Sequence, residues 1–443
     1  MYPDGGTNAE FHEVKLRVKH LQILVAAAAL VFCTAVNSES RVDSVVVKAS
    51  RYLDVASGRY VSPAVILIEN NRIVAVNPAG TLQESLEVIN LGSRTILPGL
   101  IDTHTHLTLE IAPGWDTEAV RWTQGDFVLR GVKNARKTLE SGFTTIRNLG
   151  ALDHADLALA RAIDKGWIEG PRMIASGSAL SITGGHCEIT GFAPGIREGS
   201  TETGVADGAD EFLKATRYQI KHGAKVIKVC ATAGVLSFEE SVGAQQMTKE
   251  ELGAVVAEAH RHGVKVAAHA HGTAGIIAAA KAGVDSIEHD SVMTKEAARV
   301  IKESGAYVVP TLYLTRSIDY DSLPPALQEK GRAVTPLADE SFKLALKMRL
   351  KIAFGTDAGV FPHGDNAKEF AVRVELGQSP VDAIRSATID AADLLGVTDR
   401  GQIKPGMLAD IIAVDGDPLK DIALLENVLF VMKDGDVFLN RVD

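Results

Sequence analysis

The sequence predicts an α/β fold: a (β/α)8 barrel of the TIM type with a small β-sandwich domain formed by both chain ends. Three observations predict it. Between about residues 99 and 400, short apolar runs alternate with amphipathic helical ones, the pattern of repeated βα units and a parallel sheet. Five of these pieces end in side chains able to bind a cation, and site residues at the C-terminal ends of many strands are the habit of a barrel rather than an open sheet. Strand-like segments with tight turns flank the region on both sides, so one sandwich built from the two ends is the economical arrangement. The expected divisions are 1–40 for an N-terminal extension with a signal peptide, 41–98 and 401–443 for the sandwich, and 99–400 for the barrel.

The chain begins with an acidic extension to Glu13. Lys15, Arg17 and Lys19 then precede an apolar run from Leu21 to Val36, followed by polar Asn37-Ser38-Glu39-Ser40. A basic region, a short apolar core and small residues read as a secretory signal, and the run is short for a spanning helix. The expectation is an exported protein, periplasmic or secreted, with no stable membrane anchor after cleavage. Cys33 follows Phe32, a poor fit to a lipoprotein cleavage site. The net charge of −10, without a lysine or arginine stripe, argues against nucleic acid as a partner.

Residues 44–49 and 64–69 read as strands, and Asn70-Asn71 turns the second into a third at 72–76. The apolar run 95–101 leads into Asp102-Thr103-His104-Thr105-His106. Residues two apart on a strand face the same way, so His104 and His106 can reach one cation, and imidazole is a good zinc ligand. Residues 143–147 and 172–175 are the next strand candidates. In 225–230, Val226, Lys228 and Cys230 share one face of a strand that reads as buried on both. A buried ammonium is costly unless paired, and desolvation yields a neutral, nucleophilic amine. Lys228 therefore either pairs with a carboxylate or takes up carbon dioxide as a carbamate that bridges two cations. His269 and His271 share a face of the following strand, and only one of them need bind metal. His289 closes a strand one βα unit later. After a strand at 307–311, Asp357 ends the apolar run 351–356, where it would serve as a helix cap or a ligand. Residues 249–262 and 274–282 are amphipathic connections. The C-terminal strands are 409–414, 428–432 and 436–439, the last two joined by a Lys433-Asp434-Gly435 turn.

Without the signal, two cysteines remain, Cys187 and Cys230. Neither forms a C-x-x-C, so no thiolate metal cage is expected. Export permits a disulfide without requiring one. Cys187 beside His186 as a nucleophile is a minor reading.

Pro98-Gly99-Leu100-Ile101-Asp102 ahead of His104 and His106 resembles the opening motif of the amidohydrolase superfamily. Lys228-Val229-Cys230-Ala231-Thr232-Ala233-Gly234-Val235 resembles its carboxylated-lysine strand. Thr183-Gly184-Gly185-His186, Gly355-Thr356-Asp357-Ala358-Gly359 and His363-Gly364-Asp365-Asn366 are closest to its imidazolonepropionase-like and prolidase-like group. That group includes metal-dependent dipeptidases, carboxypeptidases and ochratoxinase-type amidases. The likeness runs from about residue 42 to 443. Ala233 stands where many relatives carry glycine, a departure that leaves the ligand set intact.

The resemblance implies two divalent cations, with zinc expected and cobalt or manganese also suited to the donors. It implies His104, His106 and Asp357 on the more buried cation, His269 and His289 on the second, and carboxylated Lys228 as the bridge. Asp357 would also be the catalytic proton carrier. His186, His271, Tyr313 and His363 would touch substrate, with structural roles as the alternative. The implied reaction is hydrolysis of an amide next to an amino-acid carboxylate, in a dipeptide or an N-acyl amino acid. Cyclic-amide hydrolysis is the rival within the fold, and a metal-free scaffold the rival outside it, although scaffolds of this fold lose ligands and none is missing here. Side-chain preference and oligomeric state are not legible, and a homo-oligomer stays open.

Overall fold

Eight parallel strands carry the middle of the chain: β1 Leu100–Thr105, β2 Phe143–Asn148, β3 Arg172–Ala175, β4 Val226–Cys230, β5 Lys265–Ala270, β6 Ser286–His289, β7 Tyr307–Val309 and β8 Lys351–Ile352. The computed structural model describes residues 44–442 apart from 84, 238–241 and 323–324, so the expected signal segment lies outside the described residues. A helix follows each strand: Gln124–Glu140, Ala155–Asp164, Ala209–His222, Lys249–Arg261, Thr273–Ala282, Lys295–Ser304, Pro325–Met348 and Lys368–Glu375. β1, β2 and β4 are buried at every position, because helices cover the outer face and side chains fill the inner one. Ile227, Val229, Val266, Ala268 and Ile287 pack outward on Leu252, Val255 and Ile276 of the helices. The helices start and stop on local signals. Thr248 and Glu251 form a reciprocal capping box at Lys249–Arg261, and Gly283 ends Thr273–Ala282 at φ 89°, where a side chain would be strained.

The strands form two sheets, of order β3-β2-β1 and β4-β5-β6-β7-β8. They do not close into one continuous ladder, which is where the structure departs from the expected (β/α)8 ring. Both joins are isolated bridges, Leu180 to Val229 on one side and Thr105 to Ala358 on the other. The second join has a local cause. β8 is two residues long, and the chain beyond it bonds β1 only at intervals: Phe354 O accepts from Thr103 N at 2.8 Å, and Asp357 N donates to His104 O at 2.7 Å. Asp357 then turns into the left-handed region at φ 64°, which interrupts regular pairing.

Both chain ends contribute to two further sheets. One has the order Arg72–Val76, Ala64–Glu69, Ser44–Ala49, Glu87–Asn90. The other runs Asp436–Asn440, Phe430–Lys433, Ile411–Val414, Thr95–Pro98, Arg51–Asp54, Arg59–Val61. Val47, Ile66 and Ile68 of the first share a core with Ile96, Ile411 and Phe430 of the second. The opposite face of the six-stranded sheet, with Leu53, Leu97 and Ile412, packs on Phe143, Ile146 and Phe354 of the barrel. Residues 44–443 accordingly form one compact unit. Among the described residues no helix is long and apolar enough to cross a membrane.

Candidate metal centre

The C-terminal ends of β1, β4, β5 and β6, with the segment after β8, converge on one cavity of about 370 Å³ lined by His104, His106, Lys228, His269, His289 and Asp357. Two donor groups lie on its wall. In each, three side chains offer ligand atoms within 4.8 Å of one another: His104, His106 and Asp357 in one, and His269, His271 and His289 in the other. The groups adjoin, with the His104 and His289 ring centroids 5.0 Å apart.

The first group is oriented from behind. His104 Nδ1 lies 2.8 Å from Glu288 Oε2, and His106 Nδ1 lies 3.3 Å from the Gly150 carbonyl. Both partners only accept, so both Nδ1 atoms carry the proton and both Nε2 lone pairs face forward. Asp357 Oδ1 stands 3.4 Å from one Nε2 and 3.2 Å from the other. Three electron-rich atoms converge with no proton between them, an arrangement a cation would relieve. Asp102 ties the strand end to the Asp357 segment: its carboxylate accepts from Thr356 Oγ1 at 2.6 Å, Asn366 Nδ2 at 2.8 Å and His104 N at 3.1 Å. Gly355 lets this segment approach, since a Cβ there would sit 2.9 Å from His104 Cβ and closer still to Val309.

In the second group, Ser291 Oγ holds His271 Nδ1 and Thr311 Oγ1 holds His289 Nδ1, each at 2.8 Å. His269 Nε2 is buried and has no hydrogen-bond partner among the described residues. Such a nitrogen costs about 1–3 kcal/mol unless something binds it. The nitrogen and oxygen donors, without thiolates, fit divalent cations. His289 (φ 72°) and Asp357 (φ 64°) both hold left-handed backbone, and strain of this kind clusters at functional sites.

Lys228 is 3% exposed, and among the described residues no carboxylate lies within ion-pairing distance. Burial brings its ammonium down to about 8, against partial opposition from Glu288 and Asp357. The simple ion-pair reading of this lysine is thereby disfavoured, and a reactive amine is favoured. Burial also takes His104 down to about 4, and His269 and His289 well below the usual histidine range, so these imidazoles are neutral near pH 7, the form able to ligate a cation. Burial would raise the Asp357 carboxyl, but His104 and His106 outweigh it and keep it below the ordinary carboxylate range.

Of the expected substrate contacts, the structure brings two to the cavity. His186 stacks on His269 with centroids 4.2 Å apart, and Ser237 Oγ holds its Nδ1 at 2.8 Å. The space for its ring comes from Gly234, where a Cβ would sit 2.2 Å from the imidazole. His271 lines the cavity too, but within the second donor group rather than apart from it. Tyr313 and His363 are not among the lining residues. Tyr313 turns edge-on to Phe361 at 5.0 Å, its backbone N–H held by Glu369. His363 is 4% exposed and lies behind the first group, with its Nε2 3.2 Å from the His106 carbonyl. Cys187 and Cys230 are joined in a disulfide, Cα atoms 6.0 Å apart, which removes the nucleophile reading of Cys187. Sequence reasoning missed Glu288, Arg147 and Asp102. The available signal was a charged residue inside a strand that reads as buried on both faces.

The sequence matches the amidohydrolase family over residues 95–438, and the chain belongs to that family. It is 35% identical to ochratoxinase of Aspergillus niger over 371 residues, 77% of this chain and 75% of that protein. A Xaa-Pro dipeptidase crystallised with methionine in its active site superposes with a TM-score of 0.84 at 37% identity, covering 89% of this chain and 99% of that one. Imidazolonepropionase of Deinococcus radiodurans is 24% identical over 380 residues, 82% of this chain and 88% of that protein. The protein is a metal-dependent hydrolase acting on C–N bonds.

Proposed function

We propose that this chain is an exported, dinuclear amidohydrolase that cleaves an amide next to an amino-acid carboxylate, in dipeptides or N-acyl amino acids including ochratoxin-like amides. The observation that carries the reading is the pair of adjoining three-residue donor groups on one cavity wall with the buried Lys228, which has no ion-pair partner among the described residues. His104, His106 and Asp357 would hold one cation, His269 and His289 the other, and Lys228 as a carbamate would join them, leaving His271 beside the substrate. Two such cations, when bound, supply a water acidified towards neutrality and a polarised amide carbonyl. Asp357 takes the proton from the attacking water on its carboxylate and hands it to the leaving nitrogen. His186, steadied by Ser237 and seated over Gly234, donates to the carbonyl oxygen as charge develops there. The likeness to a dipeptidase and to ochratoxinase, stronger than that to imidazolonepropionase, supports an open-chain amide over a ring. The basic and apolar run at 15–36 supports export.

The test is turnover by the metal-loaded protein on a panel of N-acyl amino acids, dipeptides and a cyclic amide, with elemental analysis of the same sample. Hydrolysis of the first two classes is expected. Turnover of the ring compound alone would replace the substrate class, and a metal-free protein would remove the mechanism.

A further inference from the structure

We propose that Glu288, held by Arg147 and Ser286, is a positioning residue for the metal centre: it fixes the His104 tautomer and so aims Nε2 at the point shared with His106 and Asp357. The inference rests on the metal reading and adds a residue outside the ligand set. On β6, Ile287 packs outward with the helices, while Ser286 and Glu288 face the barrel interior. Glu288 is fully buried there, a costly place for a carboxylate unless it is paired.

It is paired on both oxygens. Oε1 accepts from Arg147 Nη2 at 2.9 Å and from Ser286 Oγ. Oε2 faces His104 Nδ1 at 2.8 Å. Arg147 also donates from Nη1 to Ser286 Oγ at 2.9 Å and from Nε to the carbonyl of Thr103, the residue before His104. One guanidinium therefore neutralises the carboxylate and pins the backbone that carries the imidazole. Arg147 and Ser286 both donate to Oε1, which leaves Oε2 free to accept from the imidazole. A carboxylate paired with a guanidinium accepts, so a singly protonated His104 carries its proton on Nδ1. Nε2 then presents a lone pair 3.4 Å from Asp357 Oδ1. With the other tautomer, the lone pair would oppose Glu288 and Nε2–H would occupy the cation position.

A purely structural ion pair would also be buried, so the test separates charge pairing from aim. Elemental analysis of the wild type comes first; a metal-free protein counts against the metal reading, not against the tautomer. Zinc affinity is then measured by competition with a chromophoric chelator for Arg147→Met/Glu288→Met and Arg147→Met/Glu288→Gln. Both remove the charge pair without leaving either charge buried alone. Only glutamine keeps an oxygen for His104 Nδ1–H. The methionine pair is expected to bind zinc about 10–100-fold more weakly than wild type, the loss usual for an outer-sphere partner, and the glutamine variant within about threefold of wild type. Equal affinities in the two variants overturn the proposal. The second measurement uses the wild-type chain and does not depend on either variant folding. Long-range 1H–15N correlation of 15N-histidine protein, assigned with His104→Asn, should find the His104 proton on Nδ1. A proton on Nε2 in the metal-free protein overturns the proposal by itself.

Discussion

Asp357 joins the first donor group and faces both Nε2 atoms, so substitution can separate the two roles proposed for it. Asp357→Asn keeps an oxygen but cannot take a proton. Turnover should fall by about 10²–10⁴-fold while much of the metal stays; steady-state rates with metal analysis check this, and more than about a tenth of the wild-type rate would contradict it. Lys228→Ala should lose at least one cation by elemental analysis, with partial recovery of activity in acetate or propionate. Full metal occupancy in that variant would sink the carbamate. At this scale the sequence was legible where chemistry repeats at a spacing, as at His104 and His106. It was less so where the answer depends on direction. His363 and Tyr313 follow strand ends just as Asp357 does, yet the fold turns one behind His106 and the other against Phe361. Glu288 was hidden for another reason: a buried charge reads as improbable until its partner Arg147, far away in sequence, is known.

At the scale of elements, strand ends aim the site and loops finish it. The strands were legible from their apolar runs, and the chain order of the βα units followed. The interrupted join between β1 and β8 was not, because it depends on the left-handed turn at Asp357, which no periodicity records. The loop carrying His186 is held by the Cys187–Cys230 disulfide, two residues beyond Lys228, across a separation of 43 residues. The chain-entropy relation assigns a loop of that size about 4 kcal/mol. Cys187→Ala/Cys230→Ala should therefore melt earlier than wild type in calorimetry under oxidising conditions, and an unchanged Tm would show that the bridge contributes nothing. His186→Ala should lower kcat and kcat/KM together and spare metal, since the bond proposed for it would strengthen as charge develops. Values within about threefold of wild type would make His186 structural.

For the whole molecule, the metal centre is also a clasp. Its donors come from β1, β5, β6 and the segment after β8, so ligation would bind strands of both parallel sheets together. Chelation should lower Tm, and readdition should restore it, by about 2.7 kcal/mol of stability at a free metal concentration one hundred times Kd. A Tm indifferent to chelator would mean that the donors bind no ion in the folded state. The sheet shared by the two chain ends was legible as a pairing of distant β segments, but its strand order was not, since register depends on side chains that meet only after folding. That sheet also sets a timetable. Thr95 Oγ1 bonds the Gly416 carbonyl across 321 residues, and Thr95–Pro98 pairs with Ile411–Val414. During synthesis at about 5–20 residues per second, the early strand waits roughly 15–60 s for its partner. Its apolar Ile96 and Leu97 are meanwhile a sticky edge. Ile411–Val414, made long after Thr95–Pro98, is thus the bolt that closes it, and a protein cut short before Ile411 would collect in aggregates rather than in a smaller folded enzyme.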